Sequence, residues 1–145
     1  MADERGHGMR RSTELEDLVR EWFHAASTAD ASVVDRRVSE DPGARLIGSA
    51  PDEWLSGGET IRAFLRGEVE SAGGAATFTP SETEAYEEGS VGWASTRLTI
   101  TLPDGRFVSP RWSAVFHREG DDWRFVQTHA SIGITNDQAG WIYPG

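Results

Sequence analysis

His129 stands near the end of W-R-F-V-Q-T-H-A-S, residues 123–131. Imidazole is the side chain whose ordinary pKa lies nearest neutrality, so His129 is the first candidate for a general acid or base. Read with a period of two, Trp123, Phe125, Gln127, His129 and Ser131 share one strand face that begins aromatic and ends polar. A general base needs a group that orients it and a substrate proton within reach. Gln127 and Ser113 are the candidate orienting groups, and a merely pocket-lining, hydrogen-bonded His129 is the competing reading. Arg97 and Arg111 are the second feature. Guanidinium forks grip carboxylates bidentately and keep their protons, so an arginine in a pocket means anion binding or charge stabilisation. Two of them side by side repel unless a carboxylate or a ligand anion lies between. Glu53 is the candidate carboxylate, with Arg111 simply facing solvent as the alternative. In S-A-P-D-E-W-L-S-G-G, Glu53-Trp54 reads either as an acid or base at a pocket mouth or as a capping Glu beside a Trp lid over the core.

Composition narrows the chemistry. The chain has 145 residues, a formal net charge of −10 and no cysteine. That field repels phosphates, so neither nucleic acid nor an anionic membrane is an expected partner. Without cysteine there are no disulfides, thiol nucleophiles or zinc–thiolate sites. All 14 cationic residues are arginine, which removes Schiff-base and lysine-base chemistry. The four histidines, His7, His24, His117 and His129, show no H-x-H or H-x-x-x-H spacing, so no metal and no cofactor is expected. His24 reads as a helix histidine, His7 and His117 as surface residues. No apolar run reaches the roughly 20 residues of a membrane span, and the N-terminal residues lack the apolar core of a secretory signal. A cytoplasmic location is the expectation.

The elements that hold these residues follow from periodicity. Residues 1–11 read as a mobile tail. Ser12 caps a helix whose Leu15, Leu18, Val19, Trp22, Phe23 and Ala26 recur at threes and fours. A short helix over 31–38, a short strand over 44–49, a loop over 49–58 and a third helix over 59–71 follow. That third helix turns Ile61, Phe64, Leu65 and Val69 inward and stops at Gly73-Gly74. Four strands then run over 76–87, 91–102, 106–118 and 123–132, joined by hairpin-length turns bearing glycine. Residues 134–145 form an extension whose Trp141, Ile142 and Tyr143 are too apolar for an idle tail. One domain over 12–133 results. Its class is α+β: a strongly curved, mostly antiparallel sheet, cone-shaped, with three N-terminal helices packed on it.

Hairpin arithmetic sets the faces. A three-residue P-D-G loop pairs Leu102 with Arg106, and Arg97 then faces Arg111, Ser95 faces Ser113 and Trp93 faces Val115. A G-D-D loop of the same kind pairs Val115 with Gln127 and Ser113 with His129. One face carries Trp93, Ser95, Arg97, Arg111, Ser113, Gln127 and His129; the other carries Ala94, Leu98, Ile100, Val108, Ala114 and Phe116. In one reading the polar face is the concave wall of a ligand cavity, favoured by the aromatic Trp93, Trp123 and Phe125. In the other it is the solvent face, and the apolar side packs on the helices.

Two motifs carry a family resemblance. I-G-S-A-P-D-E-W-L-S-G-G-E-T-I resembles the G-[ST]-x-P-x-E-W-x-x-G passage of SnoaL-like members of the nuclear-transport-factor-2-like superfamily. R-W-S-A-V-F-H-R-E-G-D-D-W-R-F-V-Q-T-H-A-S resembles that superfamily's last hairpin. The hairpin, with T-R-L-T around Arg97, is also similar to the association domain of calmodulin-dependent kinase II. The resemblance implies a cone-shaped cavity and a homodimer through the sheet faces. It further implies a small-molecule binder, or an isomerase, cyclase or lyase, acting on a small hydrophobic carbonyl or carboxylate compound. In that reading His129 is the acid/base and Arg97 and Arg111 hold the anion. Trp54, Trp93, Ser113, Gln127 and Glu53 complete the pocket. The superfamily's ketosteroid isomerases use a tyrosine, an aspartate base and an aspartic acid. Trp22, Gly48 or Ser49, and Trp112 or Ser113 stand in their places, so the resemblance implies a different reaction. The alternative is a non-catalytic dimerisation or association module with a vestigial or regulatory pocket.

Overall fold

The computed structural model describes residues 8–140. The chain begins with strand β1 (Arg10–Arg11), then helix α1 (Thr13–Ser27), helix α2 (Ser32–Arg37), and strands β2 (Arg45–Ile47) and β3 (Trp54–Ser56). Helix α3 (Gly58–Ala72) precedes strands β4 (Thr77–Glu88), β5 (Val91–Thr101), β6 (Phe107–Val108), β7 (Arg111–Glu119) and β8 (Asp122–Ser131). Helix α4 (Asn136–Ala139) closes the described chain. The sheet order is β1-β4-β5-β7-β8-β2-β3, with β6 on β5. Among these strands β2 and β8 pair in parallel, and every other pairing is antiparallel.

Local chemistry explains the first helix. The Ser12 hydroxyl accepts from the Leu15 N–H at 3.2 Å, and Glu14 and Glu16 sit in the first turn against the helix dipole. Its apolar stripe lies on the inner face of the sheet. Trp22 meets Phe125 with ring centroids 4.8 Å apart, and Phe23 meets Trp112 edge-on at 5.0 Å. Phe116 and Phe125 pack at 4.7 Å beneath them. Each such ring, fully buried, contributes about 1.5–3 kcal/mol by transfer from water, so this aromatic cluster is the principal clamp between α1 and the sheet.

Three expectations need correction. Arg10 and Arg11 are not tail: they pair with Glu87 and Tyr86 on the sheet edge. Arg10 donates to Glu87 Oε1 at 2.5 Å, and Arg11 is paired with Glu16. Residues 54–56, expected as loop, form β3 against β2, in register Leu46–Leu55; three residues are too few for periodicity to reveal. The strand over 106–118 is broken at Ser109-Pro110, because proline offers no ladder N–H, although its carbonyl accepts from Leu98 N at 3.0 Å. The rest of the expected tail and the apolar Trp141, Ile142 and Tyr143 lie wholly or partly outside the described residues.

Two bulges bend the sheet around α1. In β4 the register shifts between Ser81 and Glu84, where Glu82 takes φ 51° and the Thr83 and Thr96 hydroxyls meet at 2.9 Å. In β8 it shifts after Phe125: Phe116 pairs with Phe125, yet Val115 pairs with Gln127, leaving Val126 extra. That one residue reverses the faces of β8. Trp123 and Phe125 are buried inward, whereas Gln127 and His129 point outward. Among the described residues no helix is long and apolar enough to cross a membrane.

Candidate functional site

The hairpin register places six of the residues singled out for chemistry on one face. Arg97 faces Arg111, Ser95 faces Ser113, Trp93 faces Val115, Ser113 faces His129 and Val115 faces Gln127. This face is the outer one. Arg97, Arg111, Ser113, Gln127 and His129 are exposed, and Trp93 is half-buried against Tyr86, ring centroids 6.4 Å apart. The helices cover the opposite side, where Ala94, Leu98, Ala114 and Phe116 are buried. The concave-wall reading of the polar face is therefore overturned. Of the three aromatic residues that favour it, only Trp93 lies on the polar face, and Trp123 and Phe125 lie before the Val126 bulge on the buried side.

The charges on the outer face are largely self-contained. Arg97 pairs with Glu82 at 2.6 Å, so its carboxylate is the bulge residue and not Glu53. An open groove of about 710 Å³ runs along this face past Arg11, Glu84, Arg97, Arg111, Ser113 and His129. At its edge, burial pushes the Glu16 carboxyl up, but hydrogen bonds from Arg11 and the Ala85 N–H outweigh it and hold it below the ordinary value. Glu87 behaves alike, with Arg10 overcoming the effect of burial.

A more enclosed and more apolar space lies on the other side of the sheet. A cavity of about 420 Å³ sits between the sheet, α1 and α3. Trp22 and Phe23 of α1, Phe64 and Leu65 of α3, and Leu98 and Trp112 of the sheet wall it. Phe64 and Leu65, read from the sequence as simply inward, are half-buried because they face this space. Thr128 and Ala130, the β8 neighbours that alternate with His129, also line it. Sequence periodicity missed them because the bulge that sets their face carries no glycine or proline to mark it.

Glu53 is the one predicted site residue that lines this cavity. The turn from β2 to β3 holds it there: Gly48 N donates to the Glu53 carbonyl at 2.8 Å, and Ala50 N donates to its Oε1 at 2.9 Å. A Cβ on residue 48 would come 2.5 Å from that Oε1, so glycine lets the carboxylate fold back over the turn. Trp54 points elsewhere. It is 62% exposed, with the Arg45 guanidinium 4.8 Å from its ring centre, a cation–π contact rather than a lid. Trp22, Gly48, Ser49 and Trp112, four of the positions matched to isomerase groups, do line the cavity, and Ser113 does not.

An α+β fold with helices packed on a bent, mostly antiparallel sheet is the fold of NTF2-like and cystatin-like proteins. A family model described as SnoaL-like domain matches residues 15–135. The chain belongs to that family. Among solved structures it is similar to an NTF2-like protein of unknown function from Pseudomonas putida KT2440, at 16% identity and TM-score 0.77 over 89% of this chain and 94% of that one. It is similar to a protein from Xanthomonas campestris described as a calcium/calmodulin dependent protein kinase II association domain, at 17% identity, 83% and 86% coverage and TM-score 0.62. A third, described as a ketosteroid isomerase from Parabacteroides distasonis, matches at 18% identity, 82% and 85% coverage and TM-score 0.67. At these identities the likeness is one of fold. No curated protein matches the chain.

Proposed function

We propose that this protein binds a small, largely apolar molecule in the cavity between α1, α3 and the sheet, and acts as a cytoplasmic homodimer packed through its outer sheet faces. The aromatic-walled cavity of about 420 Å³ is the observation that carries the reading. It holds neither a tyrosine nor an aspartate at the positions matched to the ketosteroid isomerase groups, which speaks against that reaction. Acid–base chemistry on a bound molecule falls to Glu53, since His129 stands on the outer face. The outer face suits a second copy. Its half-buried centre of Tyr86, Trp93 and Val115 is bordered at one end by both signs of charge, Arg97 and Arg111 with Glu82 and Glu84, which a second copy of the face can pair with. That same face, with the likeness to the kinase association domain, supports the second reading, an association module whose cavity is regulatory.

A titration with the neutral dye Nile red tests the cavity. Saturable, one-to-one enhancement on the wild type and its loss in Ala130→Trp, which fills the cavity, are expected. Equal enhancement in the variant would sink the reading. Light scattering addresses assembly: a dimer that Ser113→Arg converts to monomer is expected, whereas a large ring would favour the association module.

A further inference from the structure

We infer that the inner cavity selects molecules whose apolar body ends in a cationic amine. This rests on the proposal that the cavity is a binding site, and adds the charge of its ligand. The only charged side chains lining the cavity among the described residues are two carboxylates, Glu53 and Glu68. Every arginine among the described residues lies off its lining. Glu68 is an exposed residue of α3, so it stands at the mouth, as does Glu53 on the turn after β2. Among the described residues neither carboxylate is engaged in an ion pair. The Ala50 N–H fixes Glu53 through Oε1 alone, leaving Oε2 for a ligand.

The remainder of the mouth is apolar. Val108 and Ile132 line the cavity yet are 45% and 52% exposed, a rim that would cover methylene or ring carbons of a ligand. Inside, Trp22, Phe23, Phe64, Phe78 and Trp112 line the cavity, and the π face of an aromatic ring attracts a cation and not an anion. The net charge of −10 adds a long-range field of the same sign. An anionic ligand would meet two carboxylates, while the guanidiniums expected to hold it, Arg97 and Arg111, stand across the sheet. The expected preference for a carboxylate compound is thereby reversed.

Three probes with one aromatic body separate the charge from the cavity: 2-naphthylmethylamine, 2-naphthalenemethanol and 2-naphthoate, titrated by calorimetry near neutral pH. The amine is expected to bind about five- to tenfold tighter than the alcohol, as two half-solvated charge contacts allow, with the naphthoate weakest. In the double variant Glu53→Gln/Glu68→Gln, the amide oxygen introduced at position 53 can still accept from Ala50 N. There, amine and alcohol should agree within about twofold, and an amine preference as large as the wild type's would overturn the role of the two carboxylates. Alcohol or naphthoate binding as tightly as the amine, with all three lost in Ala130→Trp, would overturn the amine preference and leave the cavity reading standing. Amine binding that survives Ala130→Trp would place it outside the cavity and overturn the inference. Failure of all three probes to bind would overturn both.

Discussion

Gly58 and Glu16 show how single residues set the frame around the cavity. A Cβ at position 58 would collide with the Ser39 carbonyl and the Glu40 backbone, so α3 can start where it does only on a glycine. Gly58→Ala should push the helix off that backbone and cost roughly 1–3 kcal/mol, read as a lower urea midpoint; an unchanged midpoint would contradict the packing. Glu16 ties β1, α1 and β4 through Arg11 and the Ala85 N–H. Its folded pKa lies below the ordinary 4.5, so the unfolded chain binds the proton first as pH falls. The stability from Glu16 is therefore whole above that value and is lost as pH falls through the folded pKa, and Glu87 adds in the same sense. Glu16→Gln should flatten the acid limb of melting temperature against pH. A limb as steep as that of the wild type would show that the carboxylate is not the linked group.

At the scale of elements, the β8 bulge decides what faces the cavity. Phe125 is 2% exposed amid Trp22, Trp112 and Phe116, whereas His129, four residues on, is exposed. Phe125→Ala should lower stability by about 3–5 kcal/mol, and His129→Ala should change it by under about 0.5 kcal/mol. Equal effects in chemical denaturation would contradict the face reversal. The first hairpin was legible in the sequence because P-D-G contains its own instruction: Gly105 takes φ 88° and Leu102 N donates to the Arg106 carbonyl at 2.8 Å, the three-residue loop expected. The second was legible only in part. Glu119 pairs with Asp122 across a two-residue turn that begins with Gly120, so the extra residue assigned to the turn sits instead at Val126. Ser113–His129 pairing comes out the same either way, and the faces of Trp123 and Phe125 do not. E-G-D-D fits either turn length, and nothing in F-V-Q marks a bulge. The helices were readable because their stripes repeat over three or more turns; the three-residue β3 was not.

At the scale of the molecule, the two faces of one sheet divide the work. The inner face, with α1 and α3, borders the apolar cavity, and the outer face carries Arg97, Arg111, Ser113, Gln127 and His129. The SnoaL-like fold was legible because the E-W and final-hairpin motifs are local. Which face encloses the cavity was not, because it depends on tertiary packing against helices distant in sequence. The central claim is that ligand enters the inner cavity. A two-dimensional NMR titration with 2-naphthalenemethanol tests it most directly, since tryptophans report from both sides. The account predicts saturable shifts of the Trp22 and Trp112 indole N–H signals, with those of Trp93 and the Gln127 amide unmoved. Saturable shifts at Trp93 and Gln127, with Trp22 and Trp112 silent, would contradict it.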